Sequence, residues 1–157
     1  MVFIEGDRVV LRSVDCSDID TLLLWENSQD EPLYGVYEER YTREDVVQFV
    51  ENQQRYSIAE TEQLRLMICS HDGGRLGAID LAEYDGKKAF VSILIVGLYN
   101  RHKGFAKSAL QLLIKYAASL GMHELYATIL PENKISLHLF LSAGFERMNE
   151  NLYCKVL

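Results

Sequence analysis

The chain has 157 residues, 48% hydrophobic and 25% charged, a size and composition that suit one folded domain and exclude disordered and collagen-like classes. With 16 Lys and Arg against 23 Asp and Glu, its net charge of -7 argues against a protein that binds nucleic acid through the phosphate backbone. No apolar run reaches the ~20 residues of a membrane span, and the opening MVFIEGDRVVLRS lacks a basic segment followed by an apolar one. Cys16, Cys69 and Cys154 are scattered, without metal-ligand or disulfide spacing, so a reduced, cytoplasmic setting is expected. The four histidines are likewise dispersed, and no metal is expected.

In chain order, Asp7 to Ser13 reads as a strand. Asp15 or Ser17 caps a short helix through Trp25 and Asn27, with Leu22, Leu23 and Trp25 on its apolar side. Pro32 to Tyr37 is an irregular aromatic stretch. Thr42 and Asp45 form a capping-box pattern that opens a helix through Val46, Val50 and Gln54. Leu64 to Ser70, Leu76 to Glu83 and Ala89 to Val96 are strand-length runs parted by turn residues at His71–Arg75 and Tyr84–Lys87. From Gly104 to Leu120, Ala106, Ala109, Leu110, Leu113, Tyr116 and Ala117 recur at helical spacing, and Gly121 stops the helix. A strand over Glu124–Leu130 follows. Then come a helix from about Asn133 to Ala143, with Leu137, Phe140 and Leu141 as its packing stripe, and a last strand over Leu152–Leu157. The order β-α-α-β-β-β-α-β-α-β predicts an α+β class: a single mixed, mostly antiparallel twisted sheet flanked by helices on both faces.

Charge is unevenly spread. Residues 15–62 carry thirteen acids against only Arg40, Arg43 and Arg55, while the rest of the chain is mildly basic. Such a division suits a cation on one side and an anion on the other, although solvated helix faces would give the same pattern. The stretch most suggestive of chemistry is Ile93 to Lys107. A strand ends there, and a long helix begins at Gly104 among Arg101, Lys103 and Lys107. A helix N-terminus presents unpaired N–H groups and a partial positive charge, so this junction reads as a phosphate or diphosphate cradle. It carries neither a Walker A loop nor a GxGxxG sequence. Taken alone, Pro131 to Phe145 is a plain amphipathic helix in which Asn133 is a cap whose amide could instead face a ligand.

Together the two stretches carry a resemblance. Arg101-x-x-Gly104-x-Ala106 resembles the acyl-CoA diphosphate loop of the GNAT acetyltransferases. Asn133, Ser136, Leu139, Phe140, Gly144 and Phe145 fall at the spacing of the same superfamily's downstream block. Val9 to Asn27 (VVLRSVDCSDIDTLLLWEN) resembles the start of the branch containing ribosomal-protein N-terminal and spermidine acetyltransferases. The resemblance spans nearly the whole chain and implies one GNAT-like domain over residues 1–157.

It also implies a function: transfer of an acetyl group from acetyl-CoA to a primary amine, directly within a ternary complex. The acceptor would be a small-molecule or peptide amine, which the acidic segment tilts toward a cationic one. The partners would include neither nucleic acid nor membrane, and the chain would act as a monomer or homodimer. Leu94, Ile95 and Val96 would pair with the pantetheine arm as an added strand does. Arg101, His102, Lys103, Gly104, Phe105 and Ala106 would hold the diphosphate, Asn133 would touch the pantetheine, and Ser136 and Phe140 would line the channel near the thiol. The thioester oxyanion would meet the N–H of Leu94 or Ile95. Two departures stand out: Phe140 occupies the usual general-acid tyrosine position, and Phe90, Val91 and Ser92 stand where many relatives carry an acid. Glu83 and Asp80 are then the candidates for a base acting through water, and Tyr126 and Tyr153 the substitute donors. A catalytically weak acyl-CoA-binding or regulatory module is the competing reading.

Overall fold

The computed structural model describes residues 1–27, 41–97, 100 and 103–157. The elements are β1 (Phe3–Glu5), β2 (Val10–Ser13), α1 (Ile19–Asn27), α2 (Arg43–Arg55), α3 (Ile58–Thr61), β3 (Leu64–Cys69), β4 (Arg75–Ala82), β5 (Lys88–Ile95), α4 (Phe105–Ser119), β6 (Glu124–Thr128), α5 (Lys134–Ser142), β7 (Glu146–Arg147) and β8 (Leu152–Val156). The eight strands form one sheet in the order β1-β2-β3-β4-β5-β6-β8-β7. Every pairing is antiparallel except β5 with β6, which α4 connects as a crossover.

The expected architecture is therefore present, with three additions and two corrections. Strand β1, helix α3 and strand β7 are new; β1 and β7 have three and two residues and exist through pairing with β2 and β8. Asp7 and Arg8 belong to the β1–β2 turn, so the predicted strand begins only at Val10. On α5, Leu141 is half exposed, and Phe140 with the partly buried Leu137 and Leu139 makes the packing face.

Period-two alternation sends the two faces of the sheet to different helices. Leu11, Leu66, Ile68, Ile79, Leu81, Val91, Leu125 and Tyr153 form one core with Leu110 and Leu113 of α4 and Phe140 of α5. Met67, Cys69 and Val14 meet Leu22 of α1 and Val46 and Val50 of α2 on the other face. Each fully buried Leu or Ile contributes about 1.5–3 kcal/mol.

Polar anchors set the smaller layer. Thr42 and Asp45 cap α2 reciprocally, as expected. Asp15 caps a single 3-10 turn, Cys16–Asp18, that leads into α1. Asp18 at the end of that turn is buried and accepts two 2.8 Å bonds from Arg12 of β2 and a 2.7 Å bond from Arg75 of β4. This ion triad pins α1 to two strands.

Candidate active site

The site grows from a mismatch in how β5 is held. On one side β4 pairs it over its length, from Ala82↔Phe90 to Gly77↔Ile95. On the other side β6 pairs only with Lys88, Ala89 and Phe90. The ladder parity follows from two bonds. Val96 N–H donates to Leu76 on the β4 side, and Lys87 C=O accepts from Glu124 on the β6 side. Even-numbered residues of β5 thus direct their backbone groups at β4, and odd-numbered residues direct theirs at β6. Beyond the bridge at Phe90 the next odd residues, Ile93 and Ile95, face a gap with no strand partner among the described residues. A third observation agrees: the Leu94 carbonyl lies so close to Gly77 that a Cβ on Gly77 would sit 1.9 Å from the oxygen. Leu94 is committed to β4, whereas Ile95 presents its N–H to the gap.

At the open end of this slot α4 begins. Gly104 is its N-cap, with φ of 80° and no side-chain cap, a conformation that costs a residue with a Cβ roughly 1–2 kcal/mol. The first-turn N–H groups are thus left without a side-chain partner at the positive end of a fifteen-residue helix. A cleft of about 690 Å³ opens here, lined by Arg8, Lys103, Gly104, Lys107, Ser108 and Gln111. Arg8 was not among the residues expected from sequence: it comes from the β1–β2 turn, and its Nη1 donates to the Lys103 carbonyl at 3.1 Å. The Gly6-Asp7 turn signal could have shown that Arg8 leaves the strand, but not that it meets residue 103. Arg101 and His102 lie outside the described residues, as does the aromatic stretch Pro32 to Tyr37.

Because β5 and β6 run parallel, α4 and α5 both start at the same edge of the sheet, flanking the slot. Asn133 serves as the α5 cap, its side chain accepting the Ser136 N–H at 3.2 Å. Phe140 is 4% exposed and packs edge-on against Phe145, with ring centroids 5.0 Å apart, so its ring belongs to the core.

The residues considered for proton transfer are each engaged or remote. Both carboxylate oxygens of Asp80 are bound by Arg65, at 2.9 and 2.8 Å, and Arg65 also reaches Glu26 at 2.8 Å and stacks over Phe49. Burial works against the Arg65 charge, but Asp80 and Glu26 more than offset it and hold its pKa above the ordinary arginine value. Glu83 is exposed, with φ of 52°, at the turn where β5 starts, the far end of the strand from Gly104. Tyr126 donates to Glu124 at 2.8 Å. That bond, then partial desolvation, raises its pKa and weakens it as an acid. Tyr153 is buried, in the same core cluster as Phe140 and Phe145.

Among the described residues, no group of three or more His, Cys, Asp and Glu side chains could hold a metal ion. No described helix is long and apolar enough to cross a membrane.

A mixed sheet splayed after its parallel pair, with an uncapped helix start at the mouth, defines an acyl-CoA N-acyltransferase fold. The acetyltransferase (GNAT) domain family matches residues 8–146, and the chain belongs to that family. Its structure is similar to that of spermidine N-acetyltransferase from Vibrio cholerae in complex with CoA and spermine (17% identity, TM-score 0.78, 96% of each chain covered). It is also similar to a GNAT-family acetyltransferase from Bacillus anthracis (21% identity, TM-score 0.77, 99% of this chain and 98% of that one). A third similar structure is Mycobacterium smegmatis RimJ in complex with CoA-disulfide (17%, 0.75, 99% and 90%). An uncharacterized protein of Methanocaldococcus jannaschii is 21% identical over 156 residues; the match covers 95% of this chain and 31% of that protein's length.

Proposed function

We propose that the chain is an acetyl-CoA-dependent N-acetyltransferase that moves an acetyl group directly to a primary amine in a ternary complex. The observation that carries this reading is the continuity of the β5–β6 gap with the uncapped start of α4. A pantetheine arm adds to the open edge of β5 as a short strand would, while the diphosphate rests on the N–H groups around Gly104. Lys103 to Ala106, with Arg101 and His102 of the loop motif, form that seat, and Asn133 and Ser136 border the arm.

In the transfer, the neutral amine attacks the thioester carbonyl. A C–N bond forms, the oxyanion is met by an N–H on the gap side of β5, and the C–S bond then breaks. On parity this donor is Ile95 rather than Leu94. The amine proton passes to the departing thiolate or to water; the thiol has a pKa near 8.5, so its thiolate leaves without a strong acid. Asp80 and Tyr126 take no part in this scheme, because their polar atoms are already bound, and Glu83 stands at the opposite end of β5 from Gly104. The rate then rests on positioning and on the fraction of acceptor that is uncharged.

A cationic amine is the acceptor class we favour. The acidic residues 15–62 support it, and similar structures include a spermidine acetyltransferase bound to spermine. Incubation with acetyl-CoA and polyamines, peptides and small monoamines should release thiol in step with acetylated product. Thiol release is expected to be fastest with a polycation, with sequential kinetics and no acetyl-enzyme. The engaged state of Asp80 and Tyr126 and the burial of Phe140 favour a second reading, a CoA-binding module with little turnover. CoA binding without product from any amine class would establish that alternative.

A further inference from the structure

The diphosphate loop of the sequence motif runs from Arg101 to Ala106, but the cleft has a second wall outside that motif. The Gly6 N–H bonds to the Val9 carbonyl at 2.9 Å, closing the β1–β2 turn. Gly6 also lies against α4, where an added Cβ would fall 2.7 Å from Leu112 Cδ1. Laid on the helix in this way, the turn carries Arg8 across its first residue. Arg8 Cδ, Nε and Cζ stand 3.7–3.8 Å from where a Gly104 Cβ would be. One guanidinium N–H is used on Lys103 O, and the other four have no protein partner among the described residues. Past Gly104 the cleft continues along α4 by Lys107, Ser108 and Gln111, about 10 Å of helix. That is room for a nucleoside beyond the diphosphate seat, with Arg8 and Lys107 on its walls and Asp7 as the one opposing charge.

We propose that Arg8, assisted by Lys107, binds the 3′-phosphate on the ribose of CoA and so selects CoA over its 3′-dephospho form. This rests on the acyl-CoA reading above. A guanidinium offers paired donors that match a phosphate, and the diphosphate has the N–H groups at the start of α4 as partners of its own. Titration calorimetry of the full chain with CoA and with 3′-dephospho-CoA tests it. The unaltered protein is expected to prefer CoA by about tenfold, the scale of one charge-assisted contact. Arg8→Ala should cut that preference below about twofold while leaving 3′-dephospho-CoA affinity unchanged. Lys107→Ala, also at an exposed position, should reduce the preference in the same direction. Equal weakening of both ligands by Arg8→Ala would overturn the assignment, as would a preference that survives both substitutions. If the unaltered protein bound neither ligand, the acyl-CoA reading itself would fall, and this assignment with it.

Discussion

Arg65 grips Asp80 through two parallel hydrogen bonds, Nε to Oδ1 and Nη2 to Oδ2, directly across the β3–β4 ladder. The pair is largely enclosed, with 18% and 12% of the two side chains exposed. A carboxylate so held fixes β3 to β4 and carries the charge that keeps Arg65 in place between Glu26 and Phe49. Asp80→Asn should therefore act on stability: removing the charge is expected to cost about 2 kcal/mol in urea unfolding, with Glu26 retaining part of the pairing. The shape of the pH profile of kcat/KM should stay the same. Loss of an ionisation from that profile would return Asp80 to the chemistry.

Tyr126 makes a matching case. Its hydroxyl is committed to Glu124, so Tyr126→Phe should change kcat by less than about threefold, well short of the ~100-fold expected for a general acid. In both forms kcat/KM should rise steadily between pH 7 and 9, because the acceptor must lose its proton and amines of the lysine type have pKa values near 10. A plateau abolished by the substitution would assign the proton to Tyr126.

The Phe140 ring, buried against Phe145, leaves little for a hydroxyl to bond to. Phe140→Tyr is expected to lower stability by about 1–3 kcal/mol, the cost of an unsatisfied polar group. It should leave kcat close to that of the unaltered protein. Thermal unfolding and steady-state rates measure the two effects, and a large gain in kcat would show that the ring tip opens on the reacting atoms.

Acid stability should report the Asp18 triad. Burial alone would push this carboxyl up, but hydrogen bonds from Arg12 and Arg75 and the Asp15 N–H hold it down at about 2. A depressed carboxylate stabilises the fold above its unfolded value, near 4, and that stability is lost as pH falls from there toward 2. The contribution is about 2 kcal/mol at neutral pH. Asp18→Asn should remove this part of the acid transition and lower the stability at pH 7. An unfolding profile with the same acid limb in both proteins would contradict it.

Much of this architecture is legible in the chain itself. Strands β3 to β5 announce themselves through β-rich runs closed by His71–Gly74 and Asp85–Gly86, and α4 through its apolar spacing. Strands β1 and β7 do not, because three and two residues carry no periodicity and form only against a partner. At the site, the glycine and small residue that open α4 are visible because backbone approach dictates residue type at those positions. The status of Asp80 and Tyr126 is not, since it depends on which side chain faces them: Arg65 across a ladder, Glu124 two residues back on the same strand. Arg8 is hidden for a similar reason, being brought by a hairpin laid on α4 to the carbonyl of Lys103, ninety-five residues away in sequence.

Calorimetry with desulfo-CoA asks whether the bare N–H groups at the start of α4 seat the diphosphate of an acyl-CoA. A Kd on the order of micromolar is expected for the unaltered chain. Gly104→Glu, which adds a negative side chain at the seat, should raise that Kd by about a hundredfold or more. No heat of binding, or an affinity that Gly104→Glu leaves unchanged, would contradict it.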